Sequence, residues 1–153
     1  MSSKQKSSYK PRILAFVCNW TGFSAEDLAR SGKFNGTSSI KVVRVTCSGS
    51  VSPALILDAF NAGNDGVIIC GCESSKCHYI TGNVKAEERV EKAIKILKFL
   101  GIPPERVKLE RVSPSEKDKF IDIFKEFSNN LISLGPLKSL NWVDENNGRN
   151  KCK

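Results

Sequence analysis

The sequence lacks any long hydrophobic segment. No apolar run in the 153 residues approaches the ~18 residues expected of a membrane-spanning helix. Residues 1–12 contain neither an apolar stretch like that of a secretory signal peptide nor an acidic residue. We therefore expect a cytoplasmic protein that does not associate with a membrane. In that reducing compartment, the six cysteines are not expected to form three disulfides.

The sequence also lacks the short motifs of the common nucleotide-dependent and hydrolytic enzymes. It contains no Walker phosphate-binding loop, no G-x-G-x-x-G, no H-E-x-x-H and no G-x-S-x-G. There is no C-x-x-C pair, and histidine occurs once, as His78. These absences favour electron transfer over chemistry on a bound substrate.

Charge is unevenly distributed along the chain. The formal net charge is +8, of which residues 1–12 carry +4 and the segment after Pro136 carries +2. Basic tails of this kind more often solubilise a protein or bind an acidic protein surface than bind nucleic acid. We therefore expect no nucleic-acid partner. The chain is divided into a basic N-terminal tail at 1–11, one domain at 12–135 and a polar C-terminal tail at 136–153.

Strand and helix patterns alternate between the two tails. Short apolar segments typical of strands lie at 12–19, 40–47, 66–70 and 107–112. Helical signals begin at Ser24, at Ser52, at Lys85, and at Ser113 or Ser115. The alternation predicts an α/β domain: an open, mainly parallel four-stranded sheet with flanking helices, in a flavodoxin-like order 2-1-3-4. Lys41 and Arg44 predict that the second strand lies at an edge.

Four cysteines lie where predicted strands end: Cys18, Cys47, Cys72 and Cys77. The carboxyl ends of parallel strands meet at one edge of a sheet, which is where ligands bind in such folds. We therefore expect the four thiols to lie near one another, with glycines at positions 22, 49 and 71 allowing close approach of the backbone. Four thiolates suit a [2Fe–2S] cluster and a structural zinc ion equally well, so the spacing predicts a metal site without naming the metal.

The other residues near these cysteines have ordinary explanations. Cys70 lies inside an apolar strand, where a free cysteine commonly packs as a small hydrophobic residue, and Cys152 lies in the polar tail. His78 is interpreted as a positioning group more readily than as a ligand. Trp20 and Tyr79 either shield the site from water or pack on the edge of the sheet.

Three signatures occur in a fixed order along the chain: C-N-W within residues 15–20, C-S-G within 45–49 and C-H-Y-x-x-G-N within 71–87. Together with the segment 101–107, they resemble the delta subunit of methyl-viologen-reducing hydrogenase. The resemblance covers roughly residues 12–135.

The resemblance implies an electron-transfer subunit with one [2Fe–2S] cluster, whose ligands would be Cys18, Cys47, Cys72 and Cys77. Its implied partners are a nickel–iron hydrogenase, or a formate dehydrogenase, and the flavin subunit of heterodisulfide reductase. The family usually reads C-N-W-C, whereas this chain has Thr21 at the last position. If that position normally supplies a ligand, Cys18 or Cys70 would take its place.

Two alternatives follow from the same residues. The first is a structural adaptor of the same complex that holds zinc or no metal, and Thr21 is the feature that motivates it. The second is a thiol-based redox enzyme using Cys72 and Cys77, which the missing C-x-x-C makes the weakest of the three interpretations.

Overall fold

The structure, a computed structural model, describes residues 9–21, 23–30, 38–72 and 81–137. Within these residues strands and helices alternate. Their order is β1 (Arg12–Cys18), α1 (Ala25–Arg30), β2 (Ser39–Val45), α2 (Pro53–Asn61), β3 (Gly66–Gly71), α3 (Gly82–Phe99), β4 (Val107–Arg111) and α4 (Lys117–Leu134). Single 3-10 turns lie at Asn19–Thr21, Ser48–Ser50 and Pro104–Arg106.

The four strands form one parallel sheet in the order β2-β1-β3-β4. This confirms both the predicted fold class and the predicted strand order. The second strand lies at an edge, with the side chains of Lys41 and Arg44 exposed, as their charges predict. Every residue of β3 is buried, which agrees with its apolar sequence.

The register brings the carboxyl ends of three strands to the same level. Cys18 is paired with Val45 at the end of β2, and Val17 is paired with Cys70 in β3. The residues just beyond these pairs therefore share one side of the sheet, here named the carboxyl edge. The opposite side, where the strands begin, is named the amino edge.

Helices cover both faces of the sheet. On one face α1 and α4 pack over β1 and β3. There the ring of Phe120 stacks on that of Phe23 at a centroid distance of 4.4 Å and meets that of Phe124 edge to face at 5.0 Å. On the other face α2 and α3 cover the second set of apolar side chains from the same strands. Because side chains alternate along a strand, Cys70 belongs to the α4 side.

Two helices begin where the sequence predicts. Asp27 accepts hydrogen bonds from both the backbone N–H and the hydroxyl of Ser24, at 2.9 and 3.1 Å, at the start of α1. The hydroxyl of Ser52 accepts a bond from the Leu55 N–H at 3.2 Å, and Pro53 occupies the first turn of α2.

The other two helices begin elsewhere. α3 begins at Gly82, three residues before the predicted Lys85, because the Thr81 carbonyl accepts the Lys85 N–H at 3.0 Å. α4 begins at Lys117, and neither Ser113 nor Ser115 caps it. The Ser113 N–H instead donates to the Glu116 carboxylate at 3.0 Å, which closes a separate turn before the helix.

The amino edge is held by a buried carboxylate. Asp65 accepts the backbone N–H of Arg12 at 2.9 Å and that of Leu137 at 3.2 Å. Its own N–H donates to the Arg12 carbonyl at 2.7 Å. One side chain therefore joins the start of β1, the start of β3 and the segment after α4.

A buried arginine completes this network. Arg106 is 3% exposed and donates to the carbonyls of Asp65 at 2.9 Å and of Gly135 at 2.7 Å. Tyr9 also donates to the Gly135 carbonyl, at 3.3 Å. Burial, together with the negative charge of Asp65, raises the pKa of Tyr9 to about 12. No described helix is both long and apolar enough to cross a membrane.

Candidate metal centre at the carboxyl edge

Two of the predicted ligands lie side by side at the carboxyl edge. The sulfurs of Cys18, at the end of β1, and Cys72, just after β3, are 3.7 Å apart. Both side chains are buried, at 2% and 7% exposure. Two thiols that are 54 positions apart in the sequence therefore share one water-excluded position, because their strands are neighbours.

The sulfur spacing suits a shared metal ion. Two thiolates on one tetrahedral ion, each about 2.3 Å from the metal, are separated by about 3.8 Å. The observed 3.7 Å between Cys18 and Cys72 matches this separation without any rearrangement of the chain. Iron and zinc both take tetrahedral thiolate ligands, so the spacing fits either metal.

The turn after β1 is closed by Thr21, the residue that replaces the usual cysteine of the resembling family. Its side chain is fully buried, and its hydroxyl donates to the Cys18 carbonyl at 2.8 Å. The same oxygen accepts the Phe23 N–H at 3.4 Å. Thr21 therefore fixes the backbone that carries the Cys18 sulfur. Its hydroxyl is engaged with that backbone.

The third predicted ligand occupies a separate position on the same edge. Cys47 is half-buried, precedes the 3-10 turn Ser48–Ser50 and accepts the Gly49 N–H on its sulfur at 3.4 Å. The thiol of Cys18 donates to the carbonyl of the adjacent Thr46 at 3.8 Å. Among the residues the structure describes, no three histidine, cysteine or acidic side chains are grouped closely enough to hold a metal ion.

Cys47 lines a cleft of about 450 Å³ at the start of α3. Lys85 and Arg89 from the first turns of α3 line the same cleft, and Arg89 donates to the Gly49 carbonyl. Both basic side chains were absent from the sequence prediction of the site. Their spacing of four positions on a helix that begins in the C-H-Y-x-x-G-N signature is the signal that would have found them.

Glycines permit the close packing around this cleft, as the sequence predicts for two of them. A Cβ on Gly49 would lie 2.6 Å from the Gly82 carbonyl oxygen, and one on Gly71 would lie 2.8 Å from the Ser48 hydroxyl. The first contact involves backbone on both sides, so it admits no side chain. Gly22 lies outside the described residues.

The remaining predicted residues are placed as follows. Cys70 is completely buried in the core under α4, and burial, followed by the charge of Glu110, raises the pKa of its thiol. This agrees with the interpretation of Cys70 as a packing residue. Trp20, beside Cys18 in sequence, is 48% exposed. Cys77, His78, Tyr79 and Cys152 lie outside the described residues.

The family model described as Methyl-viologen-reducing hydrogenase, delta subunit, matches residues 13–135. The chain belongs to this family. An F420-non-reducing hydrogenase iron-sulfur subunit of Archaeoglobus profundus is 45% identical over 130 residues, covering 85% of this chain and 95% of the relative. Another iron-sulfur subunit of this hydrogenase type, from Methanococcus voltae, is 38% identical over 142 residues, covering 93% and 96%.

The delta-subunit family also extends into a larger protein. The A subunit of the Ferredoxin:CoB-CoM heterodisulfide reductase of Methanosarcina mazei is 34% identical over 129 residues, which cover 84% of this chain but only 16% of that relative. The same domain therefore occurs both in small hydrogenase subunits and within a much longer reductase protein. The resemblance seen in the sequence signatures is confirmed.

Proposed function

We propose that this delta-family protein is a cytoplasmic electron-transfer subunit that carries one [2Fe–2S] cluster on Cys18, Cys47, Cys72 and Cys77. Its partners would be a nickel–iron hydrogenase or a formate dehydrogenase on one side and the flavin subunit of heterodisulfide reductase on the other. Turnover would belong to the assembled complex. The observation that carries the proposal is the 3.7 Å spacing of the Cys18 and Cys72 sulfurs at the carboxyl edge.

Two further facts support an iron site over a pair of thiols that binds no metal. Relatives that match nearly their whole length are named iron-sulfur subunits. Cys18 and Cys72 are also the most shielded of the proposed ligands that the structure describes, which suits a centre that exchanges electrons without meeting water. In this proposal they bind the same iron, and Cys47 and Cys77 complete the ligand set.

The bound cluster would supply reversible one-electron chemistry. The protein would set its potential through burial and through hydrogen bonds to the sulfurs, which are the levers available to any iron–sulfur protein. The Gly49 N–H already donates to the Cys47 sulfur at 3.4 Å. The basic residues Lys85 and Arg89, in the same cleft, would stabilise negative charge on a bound cluster.

The test is metal analysis of the full chain, expressed with iron–sulfur assembly proteins and purified without oxygen. We expect about two irons and two sulfides per chain, with visible absorption that bleaches on reduction by dithionite. Cys72→Ser should abolish this absorption. Cys70→Ser is the matched control, since it removes a buried thiol two positions away that lies in the core, and it should leave the spectrum intact. The reverse pattern would overturn the ligand assignment.

The adaptor alternative rests on one specific observation. Thr21, at the position of the usual family cysteine, uses its hydroxyl to close the turn after β1. If the protein holds zinc, or if iron is also missing from the native complex, the adaptor replaces the electron carrier. A Thr21→Cys variant sharpens the distinction. If the wild type contains iron and the variant contains no more iron per chain, the proposed four cysteines suffice.

A further inference from the structure

We propose that Cys18 and Cys72 form a reversible disulfide when the metal is absent. The pair is then an oxidation site, and its oxidation prevents metal binding. The inference does not depend on which metal the site holds. It follows from the backbone register, from the sulfur positions and from the contrast with the other described cysteines.

The strand register brings the two cysteines to neighbouring positions at the carboxyl edge. Because Val17 is paired with Cys70, the next pair aligns Cys18 with Gly71, and Cys72 lies one residue further along. Cys72 lies just past the end of β3, and its sulfur is 3.7 Å from that of Cys18, so the chain beyond the strand already directs the two side chains toward each other.

The side chains are also close to a bonding geometry. To form a disulfide, the two sulfurs would have to approach from 3.7 Å to about 2.05 Å, a movement of about 1.7 Å shared between the two side chains. The contact of the Cys18 thiol with the Thr46 carbonyl is a weak one, at 3.8 Å. Moving this sulfur therefore breaks no strong hydrogen bond.

The other described cysteines are less suited to pair with Cys72. Cys70 packs in the apolar core under α4, among rings and aliphatic side chains. Cys47 lines the cleft at the start of α3 and is engaged with the Gly49 N–H. Among the described cysteines, the folded chain therefore favours Cys18 as the partner of Cys72, although Cys70 is far closer to Cys72 in the sequence.

The oxidant is a hydroperoxide, and hydrogen peroxide is the simplest. One thiol sulfur attacks the O–O bond, which gives a sulfenic acid and one water. The second thiol sulfur then displaces the hydroxyl group, which forms the S–S bond and a second water. Two thiols lose two electrons and the peroxide gains two. While the disulfide is intact, neither sulfur can bind a metal as a thiolate. The disulfide also prevents further oxidation of either sulfur to sulfinic acid.

The experiment uses the full chain with its metal removed by a chelator in the absence of oxygen. The chain is treated with a small excess of hydrogen peroxide, alkylated to block free thiols, and analysed by intact mass and by peptide mapping. We expect a loss of two hydrogens per chain and one cross-linked peptide pair, joining Cys18 to Cys72. Binding of Co²⁺, followed by its thiolate charge-transfer absorption, should be lost on oxidation and restored by dithiothreitol.

Two controls test whether formation of the Cys18–Cys72 disulfide depends on the folded structure. Cys70→Ser should leave the product unchanged. Oxidation in guanidinium chloride should reduce the Cys18–Cys72 product roughly tenfold or more, since loop closure in an unfolded chain favours cysteines close in sequence, such as Cys72 and Cys77. If the folded chain instead joins Cys72 to Cys47 or Cys77, or accumulates sulfinic acid at Cys72, the proposal is wrong.

Discussion

The two edges of the sheet hold their polar groups in contrasting ways. At the amino edge, Asp65 and Arg106 are bound by nitrogen–oxygen contacts, several of them between 2.7 and 2.9 Å long. At the carboxyl edge, the sulfurs of Cys18, Cys47 and Cys72 make contacts of 3.4 to 3.8 Å with a backbone carbonyl, a backbone N–H and each other. The first set is short and charge-assisted, whereas the second is long and weak.

This contrast suggests that polar groups at the amino edge serve stability and that those at the carboxyl edge serve function. The amino-edge network links three elements that are distant in sequence, and the polypeptide alone supplies all its members. At the carboxyl edge, the Cys18 thiol has only a weak contact with the Thr46 carbonyl to exchange for a metal or for the Cys72 sulfur. We infer that, of the polar groups at the two edges, those of the amino edge contribute more to stability, which leaves the carboxyl edge available for chemistry.

The largest effect on stability is expected from Arg106→Ala. The substitution removes the donors to the buried carbonyls of Asp65 and Gly135 and leaves a cavity. Because unsatisfied buried polar groups are costly, the free energy of unfolding should fall by about 3–4 kcal/mol. Chemical denaturation of the metal-free chain measures this. Arg111→Ala is the control, since its side chain is 36% exposed and its bond to Glu87 contributes about 1 kcal/mol or less.

The same variant tests whether the two edges are independent. Iron bound per folded Arg106→Ala chain should equal that of the wild type, because the cysteines lie at the opposite end of the strands. A proportionate loss of iron at full folding would show that the amino edge also positions the sulfurs, and the contrast drawn above would fail.

A smaller effect is expected from Gly49→Ala. The new Cβ would lie 2.6 Å from the Gly82 carbonyl oxygen, so α3 must move away from the turn that follows Cys47. We expect a loss of about 1–3 kcal/mol in unfolding free energy, with weaker metal retention against a chelator. Gly101→Ala is the control: its φ of +80° makes alanine unfavourable, but no atom lies within 4 Å. It should cost stability and leave metal retention unchanged.

The sequence predicted the carboxyl edge better than the amino edge. Strand-forming runs and their alternation with helices were sufficient for the parallel sheet, its order and the placement of Cys18 and Cys72 at one edge. Those predictions rest on local patterns and on a general rule for α/β folds. No local sequence pattern predicts the roles of Asp65 and Arg106, because these roles depend on contacts with backbone groups up to 72 positions away.

Finer features of the site were also not predicted from the sequence, because they depend on contacts that form only in the folded chain. The separate position of Cys47 depends on how α3 packs against the Ser48–Ser50 turn, and that packing depends on the contact between Gly49 and Gly82. The role of Thr21 as a buried turn-closing residue likewise depends on the carbonyl of Cys18 three positions earlier. The sequence showed Thr21 only as a departure from the family's usual C-N-W-C, and the structure supplied its hydrogen bonds.

The smallest effect is expected from the ion pair between Asp27 and Lys117, which links the first turns of α1 and α4. Asp27 in α1 accepts bonds from Ser24 and lies 3.2 Å from the Lys117 ammonium at the start of α4. Burial alone would raise the pKa of Asp27, but the bonds from Ser24 and the charge of Lys117 outweigh it and lower that pKa. Because the folded-state pKa lies below the unfolded one, the stabilisation is present at neutral pH and is lost as the pH falls through the folded value.

Asp27→Asn should therefore lower the free energy of unfolding by about 0.5–1 kcal/mol at pH 7, since the ion pair is partly exposed. Denaturant titrations of the wild type and the variant, repeated down to about pH 3, should show the difference shrinking as the carboxylate is protonated. Asp118→Asn, which removes a charge from the first turn of α4 without touching Ser24, is the control. A difference that grew in acid would mean that Asp27 is stabilised in its protonated form, and the ion pair with Lys117 would then not stabilise the fold.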